Sequence, residues 1–243
     1  MKKTLALLSA LLISSVAQAD SQSDMQTLLK NLSKELPGAS AENISTTPIQ
    51  GLYKVINNGR ILYVTPDLKY AVNGSIIDLE SRTDITARDQ GILSMAEINA
   101  IGSEKMVVFP AKDKSSKREI TVFTDTSCPF CAKLHNEVPA LNEAGITVRY
   151  MLYPRAGLGS DAYKVLQSVW CAENQQQAMT DAKAGKTIPE KSCDNPIEEH
   201  IALGGKVGLR GTPLVFMDSG IKVSGYRPAD ALIQSINSTK PLK

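Results

Sequence analysis

The chain has almost no excess of either charge, only two histidines and only four cysteines, and each shortage excludes something. Lys and Arg number 27 against 25 Asp and Glu. Setting aside Lys2 and Lys3, which fall in a leader-like segment, the two signs balance at 25 each. Nucleic-acid binding wants a basic patch or stripe, so no nucleic-acid partner is expected. Beyond residue 19 no apolar run approaches the roughly 20 residues a membrane-spanning helix needs, so no stable membrane insertion is expected. The cysteines make a single Cys-x-x-Cys, Cys128 and Cys131, while Cys171 and Cys193 lie 22 apart. Structural zinc sites usually draw four ligands from two close pairs, so no metal is expected, and no organic cofactor. A protease-like nucleophile with its base is missing too. His135 falls seven residues after Cys128, about two helical turns away, and reads with His200 as a packing or surface residue.

What is present centres on Ser127-Cys-Pro-Phe-Cys131. The preceding run, Arg118-Glu-Ile-Thr-Val-Phe-Thr-Asp125, alternates polar and apolar residues and is rich in β-branched and aromatic ones, which predicts a buried strand. Residues 132–143 carry apolar side chains at 134, 138 and 141, offsets of four and three that predict a helix. The cysteine pair therefore sits where a strand turns into a helix. Unpaired N–H groups and the helix dipole favour an anion there, and thiols in such places titrate well below the free value of about 8.5. The thiolate is the nucleophile, so thiol–disulfide exchange is the predicted chemistry.

Residues 1–19 read as a signal peptide: a basic start, an apolar stretch from Leu5 to Val16, and the small-x-small triplet Ala17-Gln18-Ala19. Export places the protein where disulfides persist, so the four cysteines read as two pairs. The remaining residues divide into two domains. Residues 20–82 open with a helix, Asp20 to Leu36, that Pro37-Gly38 ends. An antiparallel meander follows: strands at 51–56, 60–65, 68–72 and 75–79, with turns at Asn57-Asn58-Gly59, Pro66-Asp67 and Asn73-Gly74. At about 65 residues this domain has a thin core and needs support. A second copy of itself is the simplest source, with packing on the rest of its own chain as the other. Residues 83–103 read as a linker helix with Thr86 as its cap, or else as a surface helix of the second domain.

The second domain, 104–243, continues with Gly145 stopping the active-site helix and a strand at Ile146–Tyr153. Strand, helix, strand suggests a β-α-β unit. Residues 160–185 and Pro196–Val207 are helical, Gly211-Thr212-Pro213 precedes a strand at Leu214–Met217, Ser219-Gly220 turns into Ile221–Ser224, and Pro228 opens a last helix.

This order of elements resembles a thioredoxin domain. The whole layout, with Thr121–Asp125, Gly145–Tyr150, Trp170-Cys171-Ala172, Ala184-Gly185-Lys186 and Gly211-Thr212-Pro213 as the nearest stretches, resembles the DsbC/DsbG family of periplasmic thiol:disulfide interchange proteins, on the DsbC side. The fold expected is α+β in two domains: a small β-rich dimerisation domain, a linker helix and a thioredoxin-like α/β domain with a helical insert. The resemblance implies Cys128 as attacking thiolate, Cys131 as buried resolving thiol, and Thr212-Pro213 as a cis peptide shaping a substrate groove. Without the resemblance, a trans proline opening an edge strand is the plainer reading of Pro213. It also implies a homodimer joined through the front domains, clients that are misfolded exported proteins with wrong disulfides, and a DsbD-like membrane electron donor in the periplasm. Cys171 and Cys193 read as a structural disulfide in the insert, with a second redox couple as the alternative. The departure is Pro129-Phe130, where the isomerases more usually carry Gly-Tyr. Neither residue adds a cation, so thiolate stabilisation is expected from the helix end and nearby N–H groups. A DsbG-like reductase of sulfenylated cysteines and a client-binding chaperone with a minor redox role are the alternative functions.

Overall fold

The computed structural model describes residues 23–32, 34–37 and 39–242. The signal-like segment 1–19 and Gly38 lie outside the described residues. The chain divides into two compact units between Thr86 and Ala87.

In the first unit the described residues of 23–35 form helix α1. Its Leu28 and Leu32 pack on Tyr53, Val55 and Val64 of a four-stranded antiparallel sheet. The strands are β1 (Ile44–Thr46), β2 (Tyr53–Asn57), β3 (Arg60–Val64) and β4 (Ala71–Val72), hydrogen-bonded in that order. Asn58 and Gly59 both take positive φ, 51° and 75°, as a two-residue turn matched to the strand twist requires. They set the β2–β3 register at Asn57 opposite Arg60. The meander breaks sooner than the sequence suggests. Strand β5 (Ile77–Asp78) pairs with β6 (Thr83–Asp84) rather than with β4. The backbone of Ile76 explains this: its N–H donates to the Thr86 hydroxyl at 2.9 Å and its carbonyl accepts from Ile85 N–H at 3.0 Å. Both groups are thus occupied on the β6 side. The same bond corrects the reading of Thr86 as a helix cap. Helix α2 (Ile85–Ile101) already includes it, and its hydroxyl also meets Tyr63 Oη.

The second unit carries a five-stranded sheet in the order β11-β10-β8-β9-β7. Its strands are β7 (Val107–Phe109), β8 (Arg118–Thr124), β9 (Ile146–Leu152), β10 (Leu214–Met217) and β11 (Lys222–Ser224). Only β8 and β9 are parallel, which demands a crossover between them. That crossover is two helices, α3 (Pro129–His135) and α4 (Val138–Glu143), where the sequence pattern suggested one. Pro139 is the cause. It has no N–H to give the His135 carbonyl four residues back, so the ladder cannot run through. The insert likewise holds two helices, α5 (Asp161–Trp170) and α6 (Gln175–Lys183), capped by the Ser160 and Asn174 side chains. Then follow α7 (Ile197–Lys206) and α8 (Ala229–Asn237). One core cluster gathers Ile120, Val122, Leu134, Leu141, Val148 and Leu166. A second joins Met95, Ile98 and Ile101 of α2 to Phe123, Met151 and Phe216. Gly91 lets α2 approach the β10–β11 turn, since a Cβ there would meet the Gly220 carbonyl oxygen at 2.3 Å.

Candidate active site

Strand β8 ends at Thr124, and the next residue anchors the site. Asp125 has no exposed surface. Its carboxylate accepts from the Ser127 N–H and hydroxyl, both at 2.8 Å, and from the Arg155 N–H and Nε at 2.9 and 3.0 Å. Burial opposes its ionisation, yet these bonds hold its pKa below the ordinary carboxylate value. Its backbone carbonyl accepts from the Cys128 N–H at 3.2 Å. The loop from β8 to α3 is thus tied at both ends of one residue, and Arg155, from the segment after β9, is its ionic partner.

Cys128 is the N-cap of α3, in extended conformation, with Pro129 opening the helix. Its carbonyl accepts from the N–H groups of Cys131 and Ala132 at 3.0 and 3.1 Å. The Cys128 thiol donates to the Thr212 carbonyl at 3.3 Å. The Thr212–Pro213 peptide is cis and precedes β10. Residues 84 apart in sequence therefore meet at the sulfur. Phe130, between the cysteines, is 61 % exposed, while Cys128 and Cys131 are both buried. Both cysteines are free thiols.

The two thiols are tuned in opposite directions. For Cys128 burial works against the anion, but the polar groups of Thr212 and Cys131, with the charge of Arg155, outweigh it and lower the pKa. For Cys131 burial dominates and raises the pKa, although Lys183 and the Asp125 backbone oppose it. The Cys128 thiolate is thus favoured and the Cys131 thiolate withheld. The expectation that only the helix end and N–H groups would stabilise the thiolate is incomplete. Two cations, Arg155 and Lys183, face the pair.

Cys171 and Cys193 are bonded to each other, with Cα atoms 5.9 Å apart, and so take no part in this cluster. His135 is buried, with Nδ1 on Tyr150 Oη and Nε2 on Thr180 Oγ1, both at 3.0 Å. His200 is fully buried, and its Nδ1 accepts from the Leu152 N–H at 3.0 Å. Neither bonds to a sulfur in these contacts. No group of three or more His, Cys, Asp or Glu suited to a metal occurs among the described residues. Sequence reasoning missed the site roles of Asp125, Arg155 and Lys183. Asp125 lay in a recognised stretch without a role; for the other two no local pattern marks a side chain that becomes relevant only when the chain folds back.

Comparison with known proteins places the chain in a family. The family model described as the disulfide bond isomerase protein N-terminal domain matches residues 15–87, and that of a thioredoxin-like domain matches 102–240. The thiol:disulfide interchange protein DsbC of Escherichia coli K12 is 38% identical over 215 residues, 88% of this chain and 86% of the relative. That of Dickeya dadantii is 34% identical over 242 residues, 99% of this chain and 97% of the relative. Among solved structures, a disulfide interchange protein from Neisseria gonorrhoeae is 31% identical, with a TM-score of 0.50, covering 56% of this chain and 96% of that one. Identity of this extent over nearly the whole length, with both domain types matched in order, makes the chain a member of the DsbC family of thiol:disulfide interchange proteins.

Proposed function

We propose that the protein is a periplasmic disulfide isomerase and reductase in which Cys128 is the nucleophile and Cys131 the resolving thiol. The opposite tuning of the two thiols is the observation that carries this reading. The Cys128 thiolate attacks one sulfur of a non-native client disulfide. A Cys128–client bond forms, the client S–S bond breaks, and the second client sulfur leaves as a thiolate that takes up a proton. Deprotonated again, that sulfur attacks another client disulfide, and a different client thiolate attacks the mixed disulfide to release Cys128, which is isomerisation. If the client stalls, Cys131 loses its proton and attacks Cys128. The client sulfur leaves reduced, and the Cys128–Cys131 disulfide must then be reduced by an outside dithiol, a membrane donor of the DsbD kind.

Supporting parts follow from position. Phe130 and the Thr212-Pro213 segment border the thiols and form the client groove, with Pro129 fixing the helix start between them. Cys171–Cys193 is a structural cross-link. Residues 1–19 direct export, residues 20–82 form the dimerisation domain, residues 83–103 link it to the catalytic domain 104–243, and the working unit is a homodimer that also holds unfolded clients. Tyr70, Val72, Ile77 and Leu79 in the front unit are large apolar side chains left more than half exposed, which fits an interface with a second copy. Scrambled ribonuclease tests the reading. Wild type restores its activity and sediments as a dimer, while Cys128→Ala loses at least about 100-fold in rate and keeps its mass. A Cys128→Ala variant that still unscrambles the substrate would refute the assignment.

A further inference from the structure

Lys183 closes α6 with its side chain almost wholly inside the protein, at 7 % exposure. Buried lysines are rare unless paired. Lys183 Nζ donates to Thr124 Oγ1 at 2.6 Å and to the Asp125 carbonyl at 2.8 Å. Both acceptors are neutral oxygens. The nearby Asp125 carboxylate is already bonded by Ser127 and Arg155. Among the described residues the ammonium thus lies in the interior with no carboxylate hydrogen-bonded to it, a costly arrangement. The same Asp125 carbonyl also accepts from the Cys128 N–H at 3.2 Å, so one oxygen joins Lys183 to the backbone of the cysteine loop. The charged and titratable groups facing Lys183 are Asp125 after β8, Cys128, Cys131 and His135 on α3, and Arg155 after β9. Of these, only the two sulfurs gain or lose a negative charge with redox state.

We infer that Lys183 is a positioning residue for the thiol pair: its buried ammonium, held on Thr124 and Asp125, favours the thiolate forms and so biases the pair toward the reduced state in which Cys128 can attack. The inference rests on the thiol-exchange reading. In the disulfide neither sulfur is charged, and the ammonium has no anion to face. On reduction two electrons enter the S–S bond, the bond breaks, and a thiolate appears beside Lys183. In the resolving step Cys131 gives up its proton, the Cys128–Cys131 bond forms, the client–Cys128 bond breaks, and the departing client thiolate recovers a proton from solvent. Lys183 is neither the donor nor the acceptor of that proton, and its charge stabilises the Cys131 anion in between. Burial already pushes Lys183 down to about 8 with the thiols free, against the attraction of Cys131, Asp125 and Cys128. Loss of the sulfur charge moves it lower still.

The test uses the full chain in two redox states. The Nζ resonance of Lys183 is titrated by NMR in protein reduced with dithiothreitol and in protein oxidised with diamide. The proton-binding constant of Lys183 is expected to be about tenfold weaker in the disulfide form. Equal midpoints in the two states would overturn the inference, and this arm needs no variant. Lys183→Met, equilibrated with glutathione, is expected to lower the equilibrium constant for reduction about tenfold, about 30 mV for a two-electron couple. A lysine that is only a structural tether would alter the unfolding midpoint of this variant and leave that constant unchanged, which also overturns the inference. Failure of the wild type to equilibrate with glutathione would instead count against the exchange reading, so the two failures are separable.

Discussion

Burial acts on Cys128 and Cys131 with the same sign and is answered differently. Cys128 sits at the start of α3, where Thr212 and Arg155 face it, and its thiol is driven down. Cys131 is one turn further in, and desolvation wins. The same logic governs the two histidines. Burial pushes both His135 and His200 down to about 4, so each is neutral in the fold. An unfolded histidine titrates near 6.5. Between these values the unfolded chain binds more protons, so the stability each contributes is complete above about pH 6.5 and drains away as pH falls toward about 4. A shift of that size corresponds to roughly 3 kcal/mol for each group. Protonating Nδ1 of His200 would also cost its bond from the Leu152 N–H. Urea midpoints measured from pH 7.5 to pH 4 should fall steeply for wild type and less steeply for His200→Asn, whose carbonyl can still accept that bond. Identical slopes would count against a neutral buried His200. At this scale the sequence was most informative where the residue type carries its chemistry, as at Cys128-x-x-Cys131. It was least informative for Arg155 and Lys183, where a common surface residue is enlisted by the fold.

At the scale of elements, local patterns and turn chemistry carried most of the reading. The β2–β3 hairpin follows from Asn58-Gly59, and the strand-to-helix step at Cys128 follows from a change of period. The departures have local causes that outweigh periodicity. Pro139 splits the crossover into α3 and α4, and the bonds of Ile76 to Ile85 and Thr86 draw β5 away from β4. Strands β1 and β7, three residues each, are too short for periodicity to register. The insert shows what a cross-link does for such elements. Cys171 follows α5 and Cys193 precedes α7, and the bond closes a 22-residue separation around α6. Closing a loop of that size stabilises by about 3 kcal/mol in the chain-entropy model. The paired Cys171→Ala, Cys193→Ala variant should lose about that much in urea unfolding, with the reduction potential of Cys128–Cys131 unchanged. An unaltered potential with unaltered stability would show that the cross-link has no structural role, and an altered potential would point to a second redox couple.

At the scale of the whole molecule, the chain is two compact units with different cores. The thioredoxin-like unit brings Cys128, Cys131 and the Thr212-Pro213 segment together from opposite ends of its sequence. The front unit has a core of only a few side chains from α1, β2 and β3, and leaves Leu79 85 % exposed. A unit of that size is expected to gain stability from a partner. The order of domains was legible because composition and period change along the chain. The cluster of Asp125, Arg155 and Lys183 around the thiols was not, because it is made by contacts 30 and 58 residues apart. The central claim is that Cys128 makes the covalent bond to client and Cys131 breaks it. It is tested most directly by mixing Cys131→Ala with scrambled ribonuclease, quenching with acid, and mapping the adduct by mass spectrometry. The account predicts a dithiothreitol-sensitive enzyme–client disulfide at Cys128 that accumulates in Cys131→Ala and is scarce in wild type. An adduct at another residue, or none while wild type remains active, would contradict it.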